Sequence, residues 1–204
     1  MTRTDVSLFL APRAPLPQTD RLRLATAVAL ACPERGPVAI EQRCEHCGGS
    51  HGRPRVLTPD GVQVSLSRAG TSVAVAVSLV GPIGVDIESV SAVTRAGFDD
   101  VAFNAAELSA LRSLPDDEQG RARATHWTAK EALLKLSGDG LRVDPREVSV
   151  GFSAGGASVL RGWPQTTLDL GRVHLVTFVP GPGLVGTFAV LSATPPTVEL
   201  HRES

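Results

Sequence analysis

The pattern of hydrophobic and polar positions predicts a helix and then a hairpin in the first part of the chain. Residues 22–32 (LRLATAVALAC) are rich in alanine and leucine, with Asp20 placed as a helix cap and Pro33 as a helix stop. Apolar and small residues alternate at 62–66 and again at 73–79, on either side of the turn sequence SRAG. This period of two predicts two strands joined as a β-hairpin.

The second part of the chain repeats this order of elements. The run 83–88 (IGVDIE) predicts a short strand, and residues 123–136 predict a helix that ends at the glycine-rich sequence SGDG. Residues 172–179 and 184–192 predict a second hairpin, which the sequence PGPG joins.

We therefore predict an α+β fold made of two pseudo-symmetric α+β halves, each a long helix packed on an antiparallel sheet. The boundary falls near residues 81–84 and divides the chain into 1–83 and 84–204. The alternative is one continuous α+β domain, because no flexible linker separates the halves.

Composition narrows the class of protein. A chain of 204 residues with 42% hydrophobic residues can bury a core, which argues against disorder. The net charge of -1 gives no general attraction to nucleic acid or to an anionic membrane. No apolar run approaches the roughly 20 residues that span a bilayer, and three cysteines do not make a disulfide scaffold. We expect a cytoplasmic monomer.

Lysine is rare in this chain. Of the 20 basic residues, 18 are arginines and the two lysines are Lys130 and Lys135. This chain uses arginine wherever a generic positive charge is enough. A lysine in such a chain therefore indicates a place where the ammonium group itself is needed. Chance clustering on a solvated helix face is the alternative.

Two acidic residues share one face of the predicted strand 83–88. Asp86 and Glu88 lie at i and i+2, so their side chains point to the same side of the strand. Carboxylates held this close repel each other unless a cation or a shared proton intervenes, and hard oxygen ligands suit Mg²⁺. A sheet edge with two solvated acids is the alternative.

The helix sequence WTAKEALLK carries a second pair. Glu131 and Lys135 lie at i and i+4 and share a helix face. They could form an exposed ion pair, or they could hold a metal or a proton beside an ammonium that stabilises phosphate charge. The sequence FNAAE at 103–107 places an aromatic residue and Glu107 at i and i+4, which also fits the start of a surface helix.

Together these motifs resemble those of the 4'-phosphopantetheinyl transferases of the two-domain, surfactin-synthetase-activating type. GVDIE (84–88), FNAAE (103–107) and WTAKEALLK (127–135) match that family's motifs in the same order and at similar separations. The resemblance extends from about Asp20 to Leu191, although the arginine-rich stretch that precedes the first helix in the family is shortened here to residues 11–19.

The resemblance implies an enzyme that transfers the 4'-phosphopantetheine arm of coenzyme A to a serine of an acyl or peptidyl carrier protein, releasing adenosine 3',5'-bisphosphate. It implies that Asp86, Glu88 and Glu131 hold Mg²⁺ and that Glu131 accepts the serine proton. Lys135 would donate to the phosphate oxygens. Lys130 and Glu107 would form a supporting ion pair.

Three shorter matches imply where coenzyme A binds. They are DRLR (20–23), GRP (52–54) and SRAG (67–70), with arginine at positions where the family has lysine or histidine. The coenzyme would then lie in a cleft between the halves. The implied phosphate contacts are Arg23, Arg53, Ser67, Arg68 and Lys135.

Other hypotheses stay open from the sequence. The chain could be a carrier-protein-binding homologue without turnover. Cys44, Cys47 and His51, with the distant Cys32, could hold zinc. A carrier protein is acidic and has a small apolar recognition helix, so its docking patch should be apolar and ringed by arginine. We expect that patch in 101–126, which contains Arg112, Arg121 and Arg123.

Overall fold

A computed structural model of the chain describes residues 4–14, 17–43, 48–49, 52–153 and 156–203. No helix within these residues combines the length and the apolar character that a membrane span requires. The helices are α1 (Pro17–Ala31), α2 (Val90–Ala96), α3 (Asp99–Ala102), α4 (Ala105–Arg112) and α5 (Asp116–Ser137). The strands are β1 (Val6–Pro12), β2 (Ala39–Gln42), β3 (Pro54–Thr58), β4 (Gln63–Ala69), β5 (Ser72–Ser78), β6 (Ile83–Ser89), β7 (Ser149–Phe152), β8 (Ser158–Gly162), β9 (Val173–Phe178), β10 (Leu184–Leu191) and β11 (Val198–Arg202).

The first sheet has the strand order β11-β1-β5-β4, and α1 packs on one of its faces. The strands pair antiparallel except for β11, which runs parallel to β1. Leu24 and Val28 of α1 are buried against Val75 and Val77 of β5. The helix begins at Pro17, so the prediction that Asp20 caps it is wrong, because Asp20 lies inside its first turns.

The predicted first hairpin is present, but its turn is shorter than the sequence suggested. Strand β4 continues through Ala69, and β5 begins at Ser72. Ser67 and Arg68 therefore lie in a strand, and their prediction as turn residues is wrong. As neighbours on a strand they point to opposite faces, which leaves Ser67 buried and Arg68 exposed.

The second sheet has the strand order β6-β10-β9, and α5 packs across it. Ala132, Leu133 and Leu136 of α5 are buried together with Ala189 of β10. The helix begins at Asp116, seven residues before the predicted start at 123, because Pro115 and an acidic first turn favour a helix N-terminus there. The α+β class is confirmed.

The two sheets share a core. Val6 and Leu8 of β1 are buried in the same cluster as Ile83 and Val85 of β6 and Phe188 of β10. The C-terminal strand β11 pairs with β1, so the end of the chain returns to the first sheet. The division into 1–83 and 84–204 stays a prediction.

Gly84 brings β6 and α5 unusually close together. A Cβ atom on Gly84 would overlap the carbonyl oxygen of Ala132 and the amide nitrogen of Leu136, and it would lie 2.9 Å from the Cβ of Lys135. Only a glycine allows this approach. Because Asp86 is two residues further on the same face of β6, the contact sets the distance between Asp86 and Lys135.

Candidate active site

Asp86 lies at the centre of the site, with only 3% of its surface exposed. Its Oδ1 atom accepts hydrogen bonds from Lys135 Nζ at 2.7 Å and from Ser67 Oγ at 2.8 Å. Among the described residues, no donor reaches its Oδ2 atom, which is buried. Burial raises the pKa of Asp86, while Lys135 and Ser67 lower it. An unpartnered buried carboxylate oxygen suits a cation ligand.

Lys135 joins the helix to the strand. Its ammonium donates to Asp86 Oδ1 and also to the Val85 carbonyl oxygen at 3.1 Å. The Lys135 side chain is 30% exposed, so the ammonium is anchored by the protein and still reaches solvent on one side.

Burial and the negative charge of Asp86 raise the pKa values of Glu88 and Glu131. Burial raises the pKa of Glu88 to about 7, and repulsion from Asp86 and Glu131 adds to the rise. The pKa of Glu131 is raised by burial and then by Asp86. No group of three or more acidic, histidine or cysteine side chains in the described part of the chain is already arranged to hold a metal. Mg²⁺ binding by Asp86, Glu88 and Glu131 stays a prediction.

The raised pKa of Glu88 predicts a pH-dependent stability. Folded Glu88 holds its proton up to about pH 7, whereas an unfolded chain releases it near the usual 4.5. The stability from this difference is complete below about pH 4.5 and is lost as the pH rises through about 7. Thermal melting of the metal-free protein from pH 4 to pH 8 should therefore show a falling Tm, and Glu88→Gln should flatten that fall.

Glu41→Gln is the matched control, because Glu41 is an exposed glutamate on β2. Its Tm profile should follow that of the wild type. A Glu88→Gln profile with the wild-type slope would show that Glu88 is not the group responsible.

A cavity of about 300 Å³ opens beside Lys135. Its lining residues come from the segment that enters β3, from β4 and from the end of α5: Gly52, Arg53, Pro54, Ser65, Leu66, Leu134, Lys135, Gly138 and Gly140. The structure thus brings Arg53 and Lys135 to one cleft.

Gly138 is the contact point for Arg53. It caps α5 with φ +85, and a Cβ there would lie 2.7 Å from Arg53 Nη1. Burial and the neighbouring charge of Arg55 lower the pKa of Arg53. The cleft is therefore lined by a partly desolvated guanidinium and by Lys135, and two cationic side chains on one cleft favour an anionic ligand.

Arg23 lies in a different place from Arg53. It lines a smaller pocket of about 70 Å³ together with Glu203, whose carboxylate is 3.6 Å from Arg23 Nη1. The Nε and Nη1 atoms of Arg23 are buried, and no acceptor in the described part of the chain bonds to them. The sequence did not indicate Glu203 as a neighbour of Arg23.

Lys130 and Glu107 form the predicted ion pair, which is confirmed at 2.6 Å. Both side chains are buried, and the ammonium also donates to the carbonyl oxygens of Ala102 and Pro145. Glu107 completes a capping box with Asn104 at the start of α4. The pair therefore holds α3, α4 and the segment before β7 against α5, away from the cleft.

The zinc hypothesis lies mostly outside the described residues, which do not include Cys44, Cys47 and His51. Cys32 is buried, and its thiol donates to the Val28 carbonyl oxygen.

Of the arginines expected to surround a docking patch, Arg123 forms an ion pair with Asp99 at 3.0 Å, while Arg112 and Arg121 are exposed.

Residues 82–179 match the model of the 4'-phosphopantetheinyl transferase superfamily. This segment contains the three motifs GVDIE, FNAAE and WTAKEALLK. For this segment the resemblance that the motifs predicted is confirmed. The predicted coenzyme contacts Arg23, Arg53, Ser67 and Arg68 lie outside the matched segment.

The chain is 32% identical over 98 residues to the 4'-phosphopantetheinyl transferase HetI of Nostoc sp. (strain PCC 7120). The match covers 45% of this chain and 40% of HetI, so it spans less than half of either protein.

Among solved structures, the chain is similar to a holo-(acyl-carrier-protein) synthase from Bacillus anthracis in complex with CoA (3',5'-ADP), with a TM-score of 0.48 and 21% identity. That likeness covers 56% of this chain and 98% of the synthase. The holo-[acyl-carrier-protein] synthase of Neisseria meningitidis gives a TM-score of 0.47 and 23% identity, over 54% of this chain and 97% of that one.

Proposed function

We propose that this chain is a 4'-phosphopantetheinyl transferase of the two-domain type, which moves the phosphopantetheine arm of coenzyme A to a serine of an acyl or peptidyl carrier protein. The observation that carries the proposal is the Asp86–Lys135 ion pair beside a cleft that Arg53 also lines. A carboxylate for a cation and cationic groups for phosphates lie together there, and Asp86 and Lys135 fall inside the segment that matches the superfamily.

Asp86, Glu88 and Glu131 are the residues that would hold Mg²⁺. The unpartnered Oδ2 of Asp86 and the raised pKa values of both glutamates fit a cation, because each marks negative charge that the protein itself leaves incompletely compensated. When bound, the ion would neutralise pyrophosphate charge that otherwise repels the incoming serine oxygen.

The chain's own residues then have separate tasks. The carrier serine Oγ forms a bond to the phosphorus that bears pantetheine, and the pyrophosphate bond to adenosine 3',5'-bisphosphate breaks. Glu131 accepts the serine proton. Its raised pKa favours this task, because a carboxylate with a higher pKa is a stronger base. Lys135 donates hydrogen bonds to the phosphate oxygens and transfers a proton to them as charge develops on the leaving bisphosphate.

Coenzyme binding would involve both cationic regions. Arg53 lies in the cleft beside Lys135, and its partial desolvation strengthens a charge-assisted bond to phosphate. Arg23 has buried N–H groups that could donate to a nucleotide phosphate. The phosphate would then bind beside Arg23, next to Glu203. Arg68 is exposed on β4 and is a further candidate for the 3'-phosphate.

The decisive test is transfer itself. The purified chain is mixed with an apo carrier protein, coenzyme A and Mg²⁺, and the carrier is followed by mass spectrometry. A gain of one phosphopantetheine per carrier supports the proposal. Carrier binding without any gain would contradict it and favour the non-enzymatic alternative.

Arg53→Ala is expected to raise the KM for coenzyme A by about 10-fold or more, with a smaller effect on kcat, because a charged hydrogen bond to phosphate contributes about 1.5–3 kcal/mol. Steady-state transfer kinetics measure the change. Arg172→Ala removes an exposed arginine outside the cleft and should leave both constants near wild type. An unchanged KM in Arg53→Ala would exclude Arg53 from coenzyme binding.

A further inference from the structure

Two buried serines on β4 face the strand that carries Asp86. Ser65 and Ser67 have only 6% and 7% of their surfaces exposed. Strands β4 and β6 belong to different sheets, yet they lie against each other. Ser65 Oγ accepts a hydrogen bond from the Val85 amide at 3.0 Å, and Ser67 Oγ donates to Asp86 Oδ1 at 2.8 Å. The hydroxyl groups thus join the two sheets at the candidate active site.

The two bonds differ in what they fix. Ser65 holds the backbone of β6, whereas Ser67 holds the carboxylate of Asp86. The last side-chain torsion of an aspartate is broad, so the plane of its carboxylate turns easily. Lys135 alone would leave that plane free to rotate about one bond. A second donor from another element fixes the plane, with both donors on one oxygen, Oδ1, and with Oδ2 without a donor among the described residues.

We propose that Ser67 is a positioning residue, which orients the Asp86 carboxylate so that Oδ2 is free for a divalent cation. This inference rests on the proposed function. It gives Ser67 a task other than the phosphate contact that the family resemblance implied, because its hydroxyl is directed to Asp86. Partners that orient a metal ligand from behind typically change metal affinity by about 10–100-fold when they are removed.

The test compares Ser67→Ala with Ser65→Ala, which removes a similarly buried hydroxyl two residues away on the same face. Mn²⁺ binding to each protein is measured by electron paramagnetic resonance, with and without adenosine 3',5'-bisphosphate. The KM for coenzyme A and the half-saturating Mg²⁺ concentration are measured in the transfer assay. Melting curves report whether each variant is folded.

Ser67→Ala is expected to weaken Mn²⁺ binding and to raise the half-saturating Mg²⁺ concentration about 10-fold, while the KM for coenzyme A stays within about two-fold. Ser65→Ala should lower the Tm and leave Mn²⁺ affinity unchanged. Ser67→Thr, which keeps the hydroxyl, should restore most of the affinity. That recovery would separate orientation of Asp86 from general packing.

Several results would overturn the inference. One is a raised KM for coenzyme A with unchanged Mn²⁺ affinity in Ser67→Ala, which would make Ser67 a coenzyme contact. Equal loss of Mn²⁺ affinity in both alanine variants would indicate general loosening of β4 from β6. Absence of Mn²⁺ binding in the wild type would also overturn it. If the wild-type chain transfers nothing but Ser67→Ala still binds Mn²⁺ more weakly, the inference stands and the proposed function is contradicted.

Discussion

Asp86→Asn is expected to reduce kcat for phosphopantetheine transfer by on the order of 10³-fold or more, because it removes the charge that would bind the cation. The amide keeps a carbonyl oxygen to accept from Ser67 and Lys135, so the fold should be retained. Asp86 raises the pKa values of both Glu88 and Glu131. Removing its charge relieves that repulsion, and the Tm of the metal-free protein should hold or rise.

Transfer kinetics, Mn²⁺ binding and melting curves measure these effects. Asp144→Asn is a matched control, since Asp144 is an aspartate that pairs with Arg146 outside the cleft. It should transfer at close to the wild-type rate. Full activity of Asp86→Asn, or wild-type activity in excess chelator, would contradict a metal site at Asp86.

Local spacing predicted the strand and the helix that carry the chemistry, but not how they meet. The period of two placed Asp86 and Glu88 on one face of a strand, which β6 confirms. The ion pair between Lys135 and Asp86 joins residues 49 apart in the chain. Only the resemblance to a family pointed to that meeting, because residue spacing within one element says nothing about its neighbours. In the structure, Gly84 allows α5 to approach β6 closely enough for the two side chains to meet.

The elements that the sequence did not predict depend on distant partners. β1 was not among the predicted elements, because its neighbours are the distant strands β5 and β11. Most side chains of β11 are exposed, so no hydrophobic alternation marked it as a strand. By contrast, α4 could have been predicted from the capping-box sequence of Asn104 and Glu107, which the structure contains.

The two lysines have opposite environments, which the sequence could not distinguish. Lys130 is completely buried and bonds to three oxygens, whereas Lys135 is partly exposed beside the cleft. An arginine at position 130 would overpack that interior and should cost about 1–3 kcal/mol of stability. Lys130→Arg is therefore unsuitable as a mild control for the chemistry of Lys135. Variants of Lys135 itself make the sharper comparison.

Lys135→Arg is expected to lower kcat by roughly 10²–10⁴-fold, because a guanidinium keeps the positive charge but does not transfer a proton in the transition state. Coenzyme affinity should stay within a few-fold, since the Lys135 position lines the open cleft and has room for the larger group. Lys135→Gln removes both the charge and the proton. It should lose as much kcat as the arginine variant and, in addition, raise the KM for coenzyme A. Transfer kinetics with all three proteins separate the roles. If arginine recovers most of the kcat that glutamine loses, Lys135 acts only through its charge, and the proton-donor role is wrong.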